Sequence, residues 1–152
     1  MSVRHPIISI TGSSGAGTTS VKRVFEDIFR RESITAAFIE GDAFHRYNRV
    51  EMREAMQREA ERGNAAFSHF GPEANLHAEL EDTFRQYGKT GTGRTRCYVH
   101  DEPEAKLYDC PPGTFTPWQP FPNPTDLLFY EGLHGAVETP SGDIARHADV
   151  CL

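Results

Sequence analysis

A glycine-rich segment, residues 12–19 with the sequence GSSGAGTT, has the spacing of a phosphate-binding loop. It fits the pattern G-x-x-x-x-G-K-[ST] at every position except the lysine. Its glycines let backbone N–H groups turn toward phosphate oxygens, and Thr19 stands where a hydroxyl would coordinate Mg²⁺. The residues predicted to bind a nucleotide are Gly12, Ser13, Ser14, Gly15, Ala16, Gly17, Thr18 and Thr19.

The lysine position of this pattern is occupied by Thr18. The lysine normally neutralises charge on the β- and γ-phosphates, so another cation must replace it or the affinity must be lower. Lys22 is a poor substitute because it lies one helical turn farther along the chain. For the loop taken alone, a Gly/Ser-rich turn that merely caps a helix stays open as an alternative.

Two acidic residues, Asp42 and Glu131, follow predicted strands. In an open parallel sheet the carboxyl ends of the strands line the ligand crevice, so both acids should lie on the edge that carries the loop. A carboxylate there can accept the proton of a hydroxyl during phosphoryl transfer, and a second can hold Mg²⁺. We predict Asp42 as the base and Glu131, rather than Asp126, as the metal acid. Gly-Asp is also common turn chemistry, and that alternative remains.

Histidines and arginines close to these acids are candidates for binding a substrate. His45 and Arg49 are four residues apart and would share one face of a helix, able to bind a phosphate or sugar oxygen. His100 and His134 each follow a predicted strand, which would place them near the same crevice. A lone histidine is more often structural, so that interpretation stays open for each of them.

Apolar patterns predict that these residues lie in an α/β fold. Residues 6–11 and 35–40 are short apolar runs that predict buried strands. Between them, apolar residues at helical spacing predict an amphipathic helix that ends near Arg31. The order strand, glycine-rich loop, helix, strand predicts a βαβ unit with a parallel strand pair.

The remaining chain predicts two more helices, two more strands and one long loop. Helices are expected over residues 48–62 and after Pro72, with a glycine-rich break at 88–93. The expected strands and loop are, in chain order, an extended strand at 94–100, a structureless loop with seven prolines at 101–125, a buried strand at 126–132, and the opening of a further strand at 148–152. The fold class is therefore an α/β sandwich with a mainly parallel sheet flanked by helices, incomplete at its C-terminal side.

Composition and charge are those of one compact globular domain. The chain has 152 residues, 38% of them hydrophobic and 25% charged. Its net charge of −6 argues against nucleic-acid binding, although a local group of arginines can still bind a small phosphorylated ligand or form a solvated helix face. The clustered arginines are Arg46, Arg49, Arg53, Arg58, Arg62, Arg94 and Arg96.

The sequence favours a cytoplasmic protein that is not bound to a membrane. It has no run of about 18 apolar residues and no signal-peptide pattern at its start. Cys97, Cys110 and Cys151 are odd in number and far apart, so we expect free structural thiols.

Five longer stretches resemble one known family, the phosphoribulokinases of the proteobacterial type within the P-loop kinase superfamily. The resemblance covers essentially the whole chain, and the family's loop also lacks the lysine. The stretches are ISITGSSGAGTTSV, IEGDAFHRYNRVEMR, FSHFGPEANL, RCYVHDEPEAKLYDCPPGTFTPWQPF and DLLFYEGLHGAV.

This resemblance implies an ATP- and Mg²⁺-dependent kinase that converts ribulose 5-phosphate to ribulose 1,5-bisphosphate in carbon fixation by the Calvin cycle. Asp42 would accept the proton of the C1 hydroxyl, and Glu131 would be the Walker B acid. Arg31 falls where family members respond to NADH, an allosteric activator. The residues implied in binding the sugar phosphate, or in lining its site, are His45, Arg49, Tyr98, His100 and His134.

Length is the main departure from the family, whose members are nearly twice as long. We therefore expect a single, truncated P-loop kinase domain over residues 1–152. An incomplete sheet would leave an unpaired edge near residues 149–152, which favours association or instability, and we expect a homo-oligomer. Two alternatives remain, namely an inactive fragment that binds a nucleotide or effector, and another small-alcohol kinase of the uridine kinase type.

Overall fold

The computed structural model describes residues 4–13 and 15–152, so Ser14 of the predicted nucleotide loop lies outside the described residues. The strands within this part are Ile7–Thr11 (β1), Ala36–Glu40 (β2), Arg94–Thr95 (β3), Gln119–Pro120 (β4), Leu127–Gly132 (β5), Glu138–Thr139 (β6), Gly142–Asp143 (β7) and Val150–Cys151 (β8). The α-helices are Thr18–Arg31 (α1), Arg49–Glu61 (α2), His77–Thr90 (α3) and Glu102–Tyr108 (α4). Short 3-10 turns occur at Gly41–Phe44, Pro72–Ala74 and Ala145–His147.

The central sheet is open and parallel, with the strand order β2-β5-β1-β8. Strand β5 lies between β1 and β2, so that Leu128 stands opposite both Ile7 and Ala37. Strands β3 and β4, and strands β6 and β7, form separate antiparallel pairs. The predicted α/β class with a mainly parallel sheet is confirmed.

Helices cover both faces of this sheet because side chains of β5 alternate between the faces. Leu128 and Tyr130 pack into a core with the α3 residues Leu80, Phe84 and Tyr87. On the other face, the rings of α1 pack on the strands, and Phe129 lies 5.2 Å from Phe25 and 5.7 Å from Phe29 between ring centroids. The strand is buried on both sides, as expected for a parallel sheet.

Two predictions about the middle of the chain are wrong. Residues 94–100 form a strand only at Arg94–Thr95, since the following backbone bonds to irregular chain, with Val99 N–H donating to Thr114 at 2.9 Å. Residues 101–125 are not structureless, because they contain α4 and β4. Asp101 caps α4 by accepting the N–H of Glu104 at 3.0 Å, and a proline stands in its first turn, where the missing N–H costs nothing.

Within the described residues, none of the helices combines the length and the apolar character needed to cross a membrane.

We expect the aromatic rings that pack on the α1 side of the sheet to contribute strongly to the free energy of unfolding. Phe129 is 0% exposed and packs against three aromatic rings. We expect Phe129→Ala to lower the free energy of unfolding by about 3–5 kcal/mol, because it leaves a cavity in the core. Urea denaturation measures this as a lower midpoint with an unchanged slope.

The matched control is Phe70→Ala, since Phe70 is 65% exposed. That variant should change the free energy of unfolding by no more than about 0.5 kcal/mol. Equal losses for the two variants would contradict the packing described for the α1 face.

Candidate active site

The glycine-rich loop connects β1 to the N-terminus of α1. Gly15 and Gly17 have φ angles of +83° and +86°, which a residue with a side chain rarely adopts. The first turn of α1 contains no acidic residue, and the glycine before it offers no side-chain oxygen as a cap. The N–H groups at this helix N-terminus and the helix dipole therefore favour an anion here.

A cavity of about 720 Å³, here called the phosphate cavity, opens beside this loop. Its lining includes five positions of the predicted nucleotide loop, namely Gly12, Ser13, Gly15, Thr18 and Thr19. Glu131 at the end of β5 lines it as well, whereas Asp126, at the start of that strand, accepts the N–H of Thr35 at 2.7 Å. The positions of the two acids in the structure are therefore compatible with the choice of Glu131 rather than Asp126 that was made from the sequence.

Lys22 also lines the phosphate cavity, although its position one helical turn beyond the loop made it a poor candidate to replace the loop lysine. Its ammonium lies 2.9 Å from Glu40 Oε1, so part of its charge is already compensated. Burial acts to lower the pKa of Lys22, but the hydrogen bond that it donates to Glu40 and the nearby carboxylates of Glu26 and Glu131 raise it above its ordinary value. A permanent cation therefore stands at the cavity whose loop lacks the lysine.

The ends of β2 and β5 approach closely because glycine occupies both. A Cβ on Gly41 would stand 2.9 Å from Gly132 Cα and 2.7 Å from the Tyr130 hydroxyl. The 3-10 turn that carries Asp42 begins at Gly41, directly after β2. Asp42 and Glu131 are thereby brought to the same carboxyl edge of the sheet, and both line the phosphate cavity.

Asp42 accepts hydrogen bonds from two imidazole rings. His45 Nε2 lies 3.1 Å from its Oδ1, and His100 Nε2 lies 2.8 Å from its Oδ2. The hydrogen bond from His45 lowers the pKa of Asp42 most, burial opposes it, and the bond from His100 lowers it further, to about 2. The carboxylate is consequently ionised throughout the neutral range.

In each of the two imidazoles, the ring nitrogen that does not face Asp42 lies within hydrogen-bond distance of a second acceptor. His45 Nδ1 lies 2.8 Å from Asn75 Oδ1, and His100 Nδ1 lies 3.0 Å from Glu104 Oε2. Burial acts to lower the pKa of both rings, but the hydrogen bonds that the rings donate to Asp42 and to these outer partners raise the pKa of each above its ordinary value. Five side chains thus form one hydrogen-bonded line, here called the Asp42 network, in the order Glu104, His100, Asp42, His45, Asn75.

A second cavity, of about 480 Å³ and here called the sugar cavity, adjoins the first. Four residues predicted to bind or line the substrate site come together in its wall, namely His45, Arg49, Tyr98 and His100. Asp42, His45, His69 and His100 line both cavities. The carboxylate therefore faces the space of each.

His45 and Arg49 reach the sugar cavity by a route different from the predicted one. They do not share a helix face, because His45 is extended (φ −65°, ψ 143°) and α2 begins only at Arg49. The cause is a capping box, in which Asn48 accepts the N–H of Glu51 and the Glu51 carboxylate accepts the N–H of Asn48, both at 2.9 Å. The spacing of Asn48 and Glu51 is the sequence signal for this helix start.

Two residues implicated by the resemblance are absent from the lining of both cavities. His134 is 7% exposed, and its ring centroid lies 4.6 Å from that of His77. Burial, together with the neighbouring His77, lowers the pKa of His134 to about 4, so its imidazole is neutral. Arg31 is exposed at the last turn of α1, about 20 Å along the helix from the loop.

Arg96 serves a purpose that its place in a basic cluster did not indicate. Its guanidinium donates to the carbonyls of Ala43 and His45, each at 2.8 Å, and stacks 3.6 Å from the centroid of Phe115. It therefore clamps the turn that carries Asp42 and is absent from the lining of either cavity. Sequence reasoning also assigned no role to Asn75 or Glu104, or to the cavity residues Tyr47 and His69, and it considered Arg53 only as a member of the arginine cluster.

The low pKa of Asp42 can be tested by removing one imidazole. His100→Ala should raise the pKa of Asp42 from about 2 toward 3.8, because one hydrogen bond and one cation are lost. Carboxyl ¹³C NMR at pH 3.8 should find an ionised Asp42 in the wild type and a partly protonated one in the variant.

His147→Ala is the control, since His147 pairs with Glu81 at 3.0 Å outside the Asp42 network. It should leave the Asp42 resonance unchanged. A wild-type Asp42 that is half protonated at pH 3.8 would contradict the electrostatics described above.

Comparisons with known proteins agree with this geometry. The sequence model of the Phosphoribulokinase / Uridine kinase family matches residues 7–152. The chain is 68% identical over 147 residues to the phosphoribulokinase of Nitrobacter vulgaris, covering 97% of this chain and 51% of that protein. It is 57% identical over 152 residues to the chromosomal phosphoribulokinase of Cupriavidus necator, covering 100% of this chain and 52% of that protein.

A solved structure matches as well. The phosphoribulokinase from Rhodobacter spheroides superposes with a TM-score of 0.86 at 51% identity, over 97% of this chain and 50% of that chain. The chain thus spans about half the length of the curated relatives that it matches. With the phosphate loop, both acids and the parallel sheet in their expected places, the chain belongs to the phosphoribulokinase / uridine kinase family.

Proposed function

We propose that this chain carries the site at which the γ-phosphoryl group of ATP passes to a hydroxyl of ribulose 5-phosphate, giving ribulose 1,5-bisphosphate and ADP. The observation that carries the proposal is the position of Asp42, which lines both the phosphate cavity and the sugar cavity. The names of the relatives favour this sugar phosphate as the acceptor. Residues 1–152 would then be one P-loop kinase domain that corresponds to about half of a longer relative.

The nucleotide phosphates would lie in the phosphate cavity against the loop and the first turn of α1. Thr19 and Glu131 line this cavity and offer a hydroxyl and a carboxylate, the hard oxygen donors that suit Mg²⁺. Bound there, the ion would neutralise charge on the β- and γ-phosphates. Lys22 supplies a further positive charge on the same side, in place of the loop lysine.

The sugar phosphate would lie in the sugar cavity, where cationic groups are concentrated. Arg49 and Arg53 line it, and guanidinium groups bind phosphate with two parallel hydrogen bonds. Burial acts against the charged forms of His45 and His100, but the hydrogen bonds that they donate raise the pKa of each and so favour a positive charge here. The acceptor hydroxyl would then point toward Asp42, between the two ligands.

In this arrangement Asp42 orients the hydroxyl first and takes its proton late. A carboxylate with a pKa of about 2 is a weak base toward a resting alcohol. In a loose phosphoryl-transfer transition state the alcohol becomes acidic only as its oxygen bonds to phosphorus. The new O–P bond forms, the bond from the γ-phosphorus to the bridging oxygen breaks, ADP leaves, and the proton passes to Asp42.

A uridine kinase-like acceptor is the second candidate, favoured by the composite name of the matching family. A nucleoside brings no phosphate of its own to the acceptor side. The guanidinium groups of Arg49 and Arg53 in the sugar cavity would then have no phosphate of the acceptor to bind. The charge of the cavity therefore favours the sugar phosphate.

Other expectations stay predictions. They are a response to NADH through Arg31, assembly into a homo-oligomer, and a cytoplasmic location.

The proposed reaction predicts ATP turnover that depends on the acceptor. With Mg²⁺ and ATP, ADP production by the chain should require ribulose 5-phosphate and should be slow with uridine. Asp42→Asn should lower kcat about 10²- to 10⁴-fold, because the proton acceptor is lost while the shape of the side chain is kept. A coupled assay of ADP release measures both effects.

Asp27→Asn is the matched control, since Asp27 is an exposed residue of α1 that pairs with Arg30 at 3.1 Å. Its kcat should equal that of the wild type. Turnover that is faster with uridine, or that survives Asp42→Asn, would overturn the proposal. Nucleotide binding without turnover by the folded chain would favour the fragment alternative.

A further inference from the structure

We propose that Asn75 is a positioning residue that holds the imidazole of His45 in its doubly protonated, cationic form beside Asp42. The proposal deepens the proposed function and rests on it only for the identity of the ligand. It follows from the hydrogen-bonding capacity of each atom around the His45 ring.

The orientation of the Asn75 amide is fixed by its surroundings. The side chain is 2% exposed, and its Nδ2 lies 2.9 Å from the carbonyl oxygen of His69 and 2.8 Å from that of Gly71. Carbonyl oxygens only accept hydrogen bonds, so the NH₂ group must face them. Oδ1 therefore faces His45 Nδ1, at 2.8 Å, and that nitrogen must carry a proton.

The other nitrogen of the same ring also faces an acceptor. His45 Nε2 lies 3.1 Å from Asp42 Oδ1, and a carboxylate with a pKa of about 2 is ionised and only accepts. A neutral imidazole has a single N–H, so it would leave lone pairs opposed at one of these two contacts. Protonation of both nitrogens satisfies both contacts. Burial acts to lower the pKa of His45, but the hydrogen bonds that its ring donates to Asp42 and Asn75 raise it.

Other charged or titratable groups act on His45 from several directions. His100 opposes a second positive charge and lowers the pKa of His45. The ring of Tyr98 stands edge-on at 6.4 Å, and Arg96 touches only the backbone carbonyl of His45. Among the described residues, the other charged or titratable groups near the ring or in the wall of the sugar cavity are Tyr47, Arg49, Arg53, His69 and His134. Asp42 and Asn75 are the partners that favour the charged ring.

The consequence is a positive charge at the sugar cavity before any ligand arrives. An imidazolium at this position attracts the phosphate of a sugar phosphate and stabilises the ionised form of Asp42. Asn75 adds no charge itself, so it supports the cation without neutralising it. Glu104 stands in the same relation to His100, but it is a carboxyl group and only half-buried.

A purely structural role for Asn75 is the competing explanation, since its NH₂ group ties down residues 69–71. The test is therefore a readout that such a role would leave unchanged, the titration of His45 followed by ¹⁵N and ¹³C NMR of labelled histidines. In Asn75→Leu the midpoint of His45 should move to lower pH, and the Nδ1 proton should be lost first. His147 serves as an internal reference in the same spectra.

Arg46→Gln is the control variant, because Arg46 Nε donates to the carbonyl of Glu73 at 3.1 Å and so ties the same segment without touching the ring. Its His45 midpoint should not move to lower pH. An unchanged midpoint in Asn75→Leu, or an equal downward shift in Arg46→Gln, would overturn the proposal.

The wild type gives a second, independent test that needs no folded variant. His45 should titrate above the value of about 6.5 for a free imidazole, with both ring nitrogens protonated below the midpoint. A wild-type ring that titrates below that value would refute the proposal. Weaker binding of ribulose 5-phosphate to Asn75→Leu is the expected further result, and failure of the wild type to bind that ligand would count against the proposed function alone.

Discussion

The Asp42 carboxylate accepts hydrogen bonds from two imidazole rings that belong to different parts of the chain. His45 is three residues away and His100 is 58 residues away. A carboxylate between two such rings keeps its charge, and each ring in turn becomes easier to protonate. This reciprocal stabilisation holds only if all three groups stay within hydrogen-bond distance, and much of the surrounding structure serves that purpose.

Several features of the fold keep these groups together. Strand β5 enters between β1 and β2, and the glycines at the ends of β2 and β5 let those strand ends nearly touch. Arg96 holds the carbonyls of Ala43 and His45, which follow the acid in the chain, while its own charge is stacked on aromatic rings. Asn75 and Glu104 fix the outer nitrogens of the two imidazoles. The turn that carries Asp42 and the two imidazole rings that contact it are thus held in fixed relative positions.

Local patterns in the sequence were sufficient to predict the frame of the molecule. The β1–loop–α1–β2 unit, β5 and β8 appear where apolar runs and glycines indicated, because periodicity and turn chemistry are local properties. The placement of Asp42, Glu131, His45, Arg49, Tyr98 and His100 around two adjoining cavities also agrees with expectation.

The failures occurred where tertiary contacts decide. Prolines between residues 101 and 125 concealed α4, whose start is marked by Asp101 and a first-turn proline. His134 follows β5, but Gly135 packs tightly on Ser9 and Tyr130, and the ring turns into the protein interior beside His77. No sequence motif indicates the roles of Asn75, Glu104 or Arg96, because each acts on another residue and only the folded chain brings the partners together.

The most direct measurement of the central claim is a map of where ribulose 5-phosphate binds, obtained from the NMR resonances of the seven histidines. His45, His69 and His100 line the cavities, whereas His77, His134 and His147 lie outside their walls. The account predicts that the ligand shifts the resonances of the first three and leaves His147 unchanged. Perturbation centred on His147, with His45 and His100 unaffected, would contradict it.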